Sequence, residues 1–240
     1  MLASYQTLGF AALLLAVTAL WGCSEGPAGA PAPAAPTPAG ESDLVAVVDG
    51  EPITQVELER ALDQLVNEQT RSPQSATTTP RDLLRTGLRR QALDDLVERK
   101  VQILEARKQN IAVSDAEIDA FYARLEKTFA SPEEHQKVIA SLRFTPQEYR
   151  RGLADDLAVR KLAEQWKAQN PVEVSDEEVA ELYEKRKSLG QLTDASGRVI
   201  PLDEVKDKLR AWMISFKQEK EYDKWVTERR SAAQVVILKP

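Results

Sequence analysis

The 240-residue chain carries 32 Lys and Arg against 38 Asp and Glu, a net charge of −6, with one His and one Cys. The basic residues are dispersed among the acidic ones and form no stripe, which excludes nucleic acid as a partner. A lone Cys excludes an internal disulfide, and one His with one Cys leaves no cluster to hold zinc or another metal.

In chain order, residues 8–20 (LGFAALLLAVTAL) form an uncharged apolar run. It is shorter than the ~20 residues that span a bilayer and suits a signal-peptide core, so residues 1–22 are read as a signal peptide. The run ends in Leu20-Trp21-Gly22-Cys23, which resembles a lipobox, with Cys23 the lipidation site. A thiol beside a small residue is open to diacylglycerylation, and acyl chains anchor at ~0.8 kcal/mol per buried CH₂. The rival readings are a cleaved signal with an incidental cysteine and an uncleaved anchor. The Pro/Ala-rich residues 24–42 favour the lipoprotein, as a tether too poor in apolar surface to fold. Ser24 after the cysteine favours the outer membrane.

Residues 43–238 are read as one folding unit. Leu44–Val48 is a short β-rich run closed by the turn pair Asp49-Gly50. Thr54 and Glu57 form a capping box for a helix to about Gln69, and residues 72–80 are a polar loop. A helical pattern from Arg81 to about Asn110 carries Leu84, Leu88, Leu93, Leu96, Val97, Val101 and Leu104 on one stripe. Ser114/Glu117 and Ser175/Glu178 are further capping boxes, and Ser131-Pro132 and Thr145-Pro146 each place proline at the first helical position. A last helix, from about Leu202 to Ser231, carries Val205, Leu209, Trp212, Phe216, Tyr222 and Trp225. The chain then reads AAQVVIL at 232–238. A solitary strand is unstable in water, so this run is expected to pair with residues 44–48. The class is mostly α: about six helices and a two-stranded sheet that joins the ends of the domain.

No site of covalent chemistry is expected. Asp94-Asp95, Asp155-Asp156 and Glu177-Glu178 are adjacent on helices and therefore do not face each other, so they read as solvated faces. There is no G-x-S-x-G elbow and no Gly-rich phosphate cradle, so neither a catalytic residue nor a cofactor is expected. His135 reads as a surface histidine on the helix after Ser131. Of the aromatics in the middle third (Phe121, Tyr122, Phe129, Phe144, Tyr149, Trp166), most read as core.

These landmarks resemble the SurA and PpiC/PrsA-type foldases of the cell envelope. The likeness runs through VAVVDGEPITQVELERAL (45–62), LRRQALDDLVERKVQILEARKQNIAVSDAEIDAFY (88–122), FTPQEYRRGLADDLAVRKLAEQ (144–165), VEVSDEEVAELYEKRK (172–187) and the closing segment 202–238. The resemblance implies a SurA N-terminal-like helical chaperone domain, which the signal-peptide and lipobox patterns would place in the periplasm, lipid-anchored at Cys23. Unfolded or nascent envelope proteins would be its partners, bound without ATP. It also implies that rings of the middle third line a shallow client-binding groove: Phe121, Tyr122, Phe129, Phe144 and Tyr149, with Leu125 and Leu142. In such foldases a parvulin isomerase domain usually follows the V-S-D-E-E-V helix. Here thirteen residues, 188–200, lead straight into the last helix. That is too few to enclose a prolyl ring, so the protein is read as a holdase and not an enzyme. A structural lipoprotein subunit of a secretion or polysaccharide-export complex, and an active prolyl isomerase, remain the alternatives.

Overall fold

A computed structural model describes residues 43–71, 80–194 and 196–239. The expected signal peptide, Cys23 with its expected tether, and the polar loop expected before Pro80 lie outside the described residues. The elements run β1 (Leu44–Val48), β2 (Glu51–Thr54), α1 (Gln55–Arg71), α2 (Arg81–Lys108), α3 (Asp115–Glu126), α4 (Pro132–Ser141), α5 (Pro146–Gln169), α6 (Asp176–Ser188), α7 (Leu202–Ala232) and β3 (Val235–Ile237). The mostly helical class holds, with seven helices among the described residues where about six were expected.

The two ends of the domain meet as expected. β1 pairs antiparallel with β3, placing Val47 opposite Val236. Leu238 N–H donates to the Val45 carbonyl at 2.9 Å, and Asp49 N–H donates to Gln234 O at 2.9 Å. The sheet has a third strand that the sequence pattern did not announce, in the order β2-β1-β3. Asp49 (φ 48°) and Gly50 (φ 85°) both take left-handed backbone, the geometry of a tight two-residue hairpin turn, and fold β2 back on β1. Pro52 is tolerated because β2 is an edge strand and Val47, its partner across the ladder, directs its backbone polar groups towards Val236 instead.

Five of the seven helix starts among the described residues are made by a side-chain cap, while α2 and α7 begin after Pro80 and Pro201 without one. Thr54, Ser114, Thr145 and Ser175 accept from the N–H three residues on, while Glu57, Glu117, Glu148 and Glu178 reach back to the cap. Ser131 accepts from Glu134 N–H with Pro132 at the first turn. Helices α2, α4 and α6 end alike. Ile111, Phe144 and Gln191 N–H groups donate back to Ala106, Ile139 and Arg186 carbonyls, through left-handed Asn110, Arg143 and Gly190.

The main core lies where the sheet meets α1 and α2, with Val45, Ala46, Val48, Ile53, Leu58, Leu62, Leu93, Val97 and Val101 buried. Each of the Val, Leu and Ile side chains among them contributes about 1.5–3 kcal/mol on burial. A smaller core between α6 and α7 buries Val179, Tyr183, Leu192 and Leu209. The α6–α7 connection, residues 189–201, is folded back by a Thr193–Val199 bridge. The Tyr183 hydroxyl donates to Ile200 O at 2.9 Å and pins it. Long α7 is tied to α2 by Tyr222, whose hydroxyl donates to Gln102 Oε1 at 3.0 Å, and by Arg230, which reaches both Asp94 and Glu98.

Candidate functional site

The middle-third rings are held by α3, α4 and α5 and by the turns between them. Phe121, Tyr122 and Leu125 lie on α3, Phe129 in the α3–α4 turn, Leu142 and Phe144 in the α4–α5 turn, and Tyr149 on α5. All seven are half-buried. Tyr122, Phe129, Phe144 and Tyr149 come together in one cluster. Phe121 does not join it: its ring lies under the guanidinium groups of Arg124 and Arg160, at 5.7 and 5.1 Å. The α4–α5 turn is gripped from α1 by Arg60, which donates to Leu142 O at 3.0 Å and to Arg143 O. The same guanidinium sits 3.8 Å over the Phe144 ring.

The centre of the cluster is His135, which corrects the reading of that residue as a surface histidine: it is 1% exposed. Its ring stacks on Phe129 at 4.6 Å, tilts against Tyr122 at 5.1 Å and meets Tyr149 edge-on at 5.6 Å. Nε2 lies 3.1 Å from the Tyr149 hydroxyl. Nδ1 has no hydrogen-bond partner among the described residues, and the nearest carboxylate, Glu126, is 4.0 Å away. Burial pushes the Tyr149 phenol above its ordinary range. His135 and Ile139 are one turn apart on the buried side of α4, so this helix is fastened down by an imidazole and an aliphatic chain together.

A second aromatic surface was not legible as a site. On α7, Trp212 and Phe216 stack in parallel, ring centroids 5.1 Å apart, and remain 43% and 41% exposed. Arg186 lies 4.2 Å over Trp212 and Lys220 lies 4.6 Å over Phe216. Leu189 and Val199, in the adjoining connection, are also exposed. Leu209, Trp212 and Phe216 are spaced along one side of α7. In the structure α6 covers Leu209 and leaves the two rings in solvent. Further along α7, by contrast, Tyr222 is buried beneath Trp166 and Trp225, and its phenol is pushed up.

The adjacent carboxylates diverge, as helix geometry requires. Asp94 pairs with Arg230, Asp156 with Arg99 and Glu178 with Lys217. Burial raises the Asp155 carboxyl, and burial with Glu98 and Asp94 beside it raises that of Asp95. Among the described residues no group of three His, Cys, Asp or Glu side chains converges on a metal position, and no helix is long and apolar enough to cross a membrane. What the surface offers is exposed rings beside cations, suited to weak binding of apolar chain.

Comparison with known proteins agrees with this architecture. The chain is 33% identical over 154 residues to the foldase protein PrsA of Caldanaerobacter subterraneus, covering 60% of this chain and 43% of that protein. It is 31% identical over 142 residues to the chaperone SurA of Alkalilimnicola ehrlichii, covering 59% of this chain and 31% of the relative. The chain thus spans less than half the length of either curated relative. Among solved structures it shares its fold with a chain from the work on the virulence factor PEB4 and the periplasmic protein Cj1289, two SurA-like chaperones of Campylobacter jejuni. The TM-score is 0.52 at 15% identity, covering 82% of this chain and 99% of that one. The SurA-like N-terminal domain profile matches residues 4–163, and the chain belongs to that family.

Proposed function

We propose that the protein is an ATP-independent holdase of the cell envelope, which binds extended apolar segments of unfolded envelope proteins and performs no covalent chemistry. The observation that carries this reading is the Trp212–Phe216 stack, two large rings left more than 40% exposed on a helical scaffold of the SurA-like family. An isolated monomer gains nothing from such exposure, whereas burying one ring under a client side chain contributes about 1.5–3 kcal/mol. Several such contacts of modest strength give reversible capture. Capture lowers the free concentration of unfolded chain from which aggregates grow. The middle-third cluster contributes through its half-exposed rims at Phe121, Tyr122, Leu125, Phe129, Leu142, Phe144 and Tyr149.

The same family supports a location in the cell envelope. The relatives are named as a foldase and a chaperone, and one solved neighbour is described as periplasmic. With the apolar run at 8–20 and the Leu20–Cys23 pattern, this supports an exported protein in three parts. These are a signal peptide at 1–22, a lipidated Cys23 with its tether to 42, and a chaperone domain at 43–238, on the periplasmic side of the outer membrane. The folded-back connection 189–201 supports a binding role over prolyl isomerisation, because so short a loop encloses no ring-sized pocket. A photo-crosslinker placed on α7 beside Trp212 tests the reading in intact cells. Crosslinks to many identified outer-membrane and periplasmic chains uphold it; a single stoichiometric folded partner replaces it with a structural subunit.

A further inference from the structure

The sheet has two edges, and only one of them is blunted. β2 carries Pro52 in its middle, which removes a donor from its outer side. β3 has no such device between Val235 and Leu238. The hydrogen bonds at Asp49–Gln234 and Leu238–Val45 set the alternation of the β1–β3 ladder. Val236 therefore faces β1, while Val235 and Ile237 direct their N–H and C=O groups away from it. Among the described residues no element pairs with those groups. Val236, Ile237 and Leu238 are also 45%, 44% and 49% exposed. Beside this edge runs an open groove of about 450 Å³, with Val235 and Ile237 on one wall and Asp94, Glu98, Thr227 and Arg230 on the other.

We propose that the outer edge of β3 is a strand-addition site for an extended, apolar client segment that carries a Lys or Arg beside its apolar residues. This deepens the holdase reading and rests on it. Outward N–H and C=O groups spaced two residues apart are matched only by another extended backbone, since a helix has already used its own. Ile237 offers an apolar seat for alternate side chains. Asp94 and Glu98 share one guanidinium, that of Arg230, so the opposite wall carries one net negative charge and favours a cation in the segment. A second copy of this chain is the poorer occupant. Two three-residue strands bury far less than the roughly 1,200 Å² at the low end of stable specific interfaces. A transient, sequence-tolerant ligand suits so short an edge, because backbone pairing asks little of the side chains.

The test is fluorescence anisotropy of a labelled short peptide of alternating Val and Thr with one Lys, titrated with the protein. Ile237→Pro removes an outward donor while leaving the N–H groups of Val236 and Leu238 to β1. It should weaken peptide binding at least tenfold with little change in melting temperature. On the unaltered protein, N-methylation of the peptide at alternate residues should abolish binding in one register and spare it in the other. That arm does not depend on how well the variant folds. Equal affinity for both methylated peptides and the parent peptide, or for Ile237→Pro and the parent protein, would overturn the proposal. A concentration-dependent dimer in sedimentation that Ile237→Pro abolishes would also overturn it, giving the edge to a second copy. If the protein suppresses aggregation equally with and without Ile237→Pro and binds no strand peptide, the edge site fails and the holdase reading stands. If it neither binds the peptide nor suppresses aggregation, both fall.

Discussion

The imidazole of His135 stacks face to face on the Phe129 ring, with centroids 4.6 Å apart and 16° between the planes. Phe129 lies in the turn before α4 and His135 in its first turn, so the contact closes the α3–α4 connection over a buried aromatic centre. The orientation of three elements depends on this ring: α3 through Tyr122, α4 itself, and α5 through Tyr149.

Removing the ring is therefore expected to cost more than removing its polarity. His135→Ala empties a fully buried site and should destabilise the protein by about 2–4 kcal/mol in urea unfolding, in the range of large-to-small core changes. His135→Phe keeps the stack and deletes the unpartnered Nδ1 at the expense of the contact with Tyr149, and should stay within about 1 kcal/mol of the parent. Equal losses for the two variants would mean that the Tyr149 contact, and not the packing, holds the cluster.

The C-terminal strand covers the main core as well as pairing with β1, since Ala233 and Val235 pack against it. Deleting residues 233–240 unpairs one side of β1 and uncovers buried Ala46 and Val48. At about 1–3 kcal/mol for each buried polar group left unmade, a loss of several kcal/mol is expected, read as a lower melting temperature. An unchanged melting temperature would contradict the structural role of β3.

These two cases mark what the sequence reveals. Helix starts were legible because a cap and its Glu lie three residues apart in the chain, so the chemistry of Thr54/Glu57 or Ser175/Glu178 is local. The pairing of 44–48 with 234–238 was legible because two lone β-rich runs at opposite ends had no other partners. The strand at Glu51–Thr54 was hidden by its proline and by its length of four residues. The burial of His135 was hidden because its neighbours on α4, Glu133, Glu134, Gln136 and Lys137, are all polar. The walls of its pocket come from Phe129 and Tyr149, outside the helix. The exposure of Trp212 and Phe216 was hidden for another reason: spacing gives a stripe and does not say how far the facing helix extends.

Glu117 links the α3 cap to α5. Hydrogen bonds from the Lys161 ammonium, then from Ser114, lower its carboxyl from 4.5 to about 2. The folded value lies below the unfolded one, so its stabilising contribution is complete above about pH 4.5 and is lost as pH falls towards 2. The melting temperature of the parent should fall more steeply across that window than that of Glu117→Gln, with the two profiles closest at the acid end. Superimposable slopes would show that the Lys161 contact does not persist in solution.

Membrane attachment is tested by metabolic labelling with an alkynyl fatty acid. The parent should incorporate the label and fractionate with membranes, and Cys23→Ser should lose both properties. A labelled, membrane-bound Cys23→Ser protein would contradict lipidation at that residue.

Light scattering from a chemically unfolded reporter enzyme, diluted into buffer with and without the protein at equimolar ratio, addresses the central claim most directly. The parent is expected to suppress most of the scattering without ATP. Trp212→Ala combined with Phe216→Ala should lose most of that suppression while melting within a few degrees of the parent, because both rings are partly exposed. Scattering that is unchanged by the parent protein, or suppressed equally by the doubly substituted one, would contradict capture of unfolded chains by the α7 aromatic face.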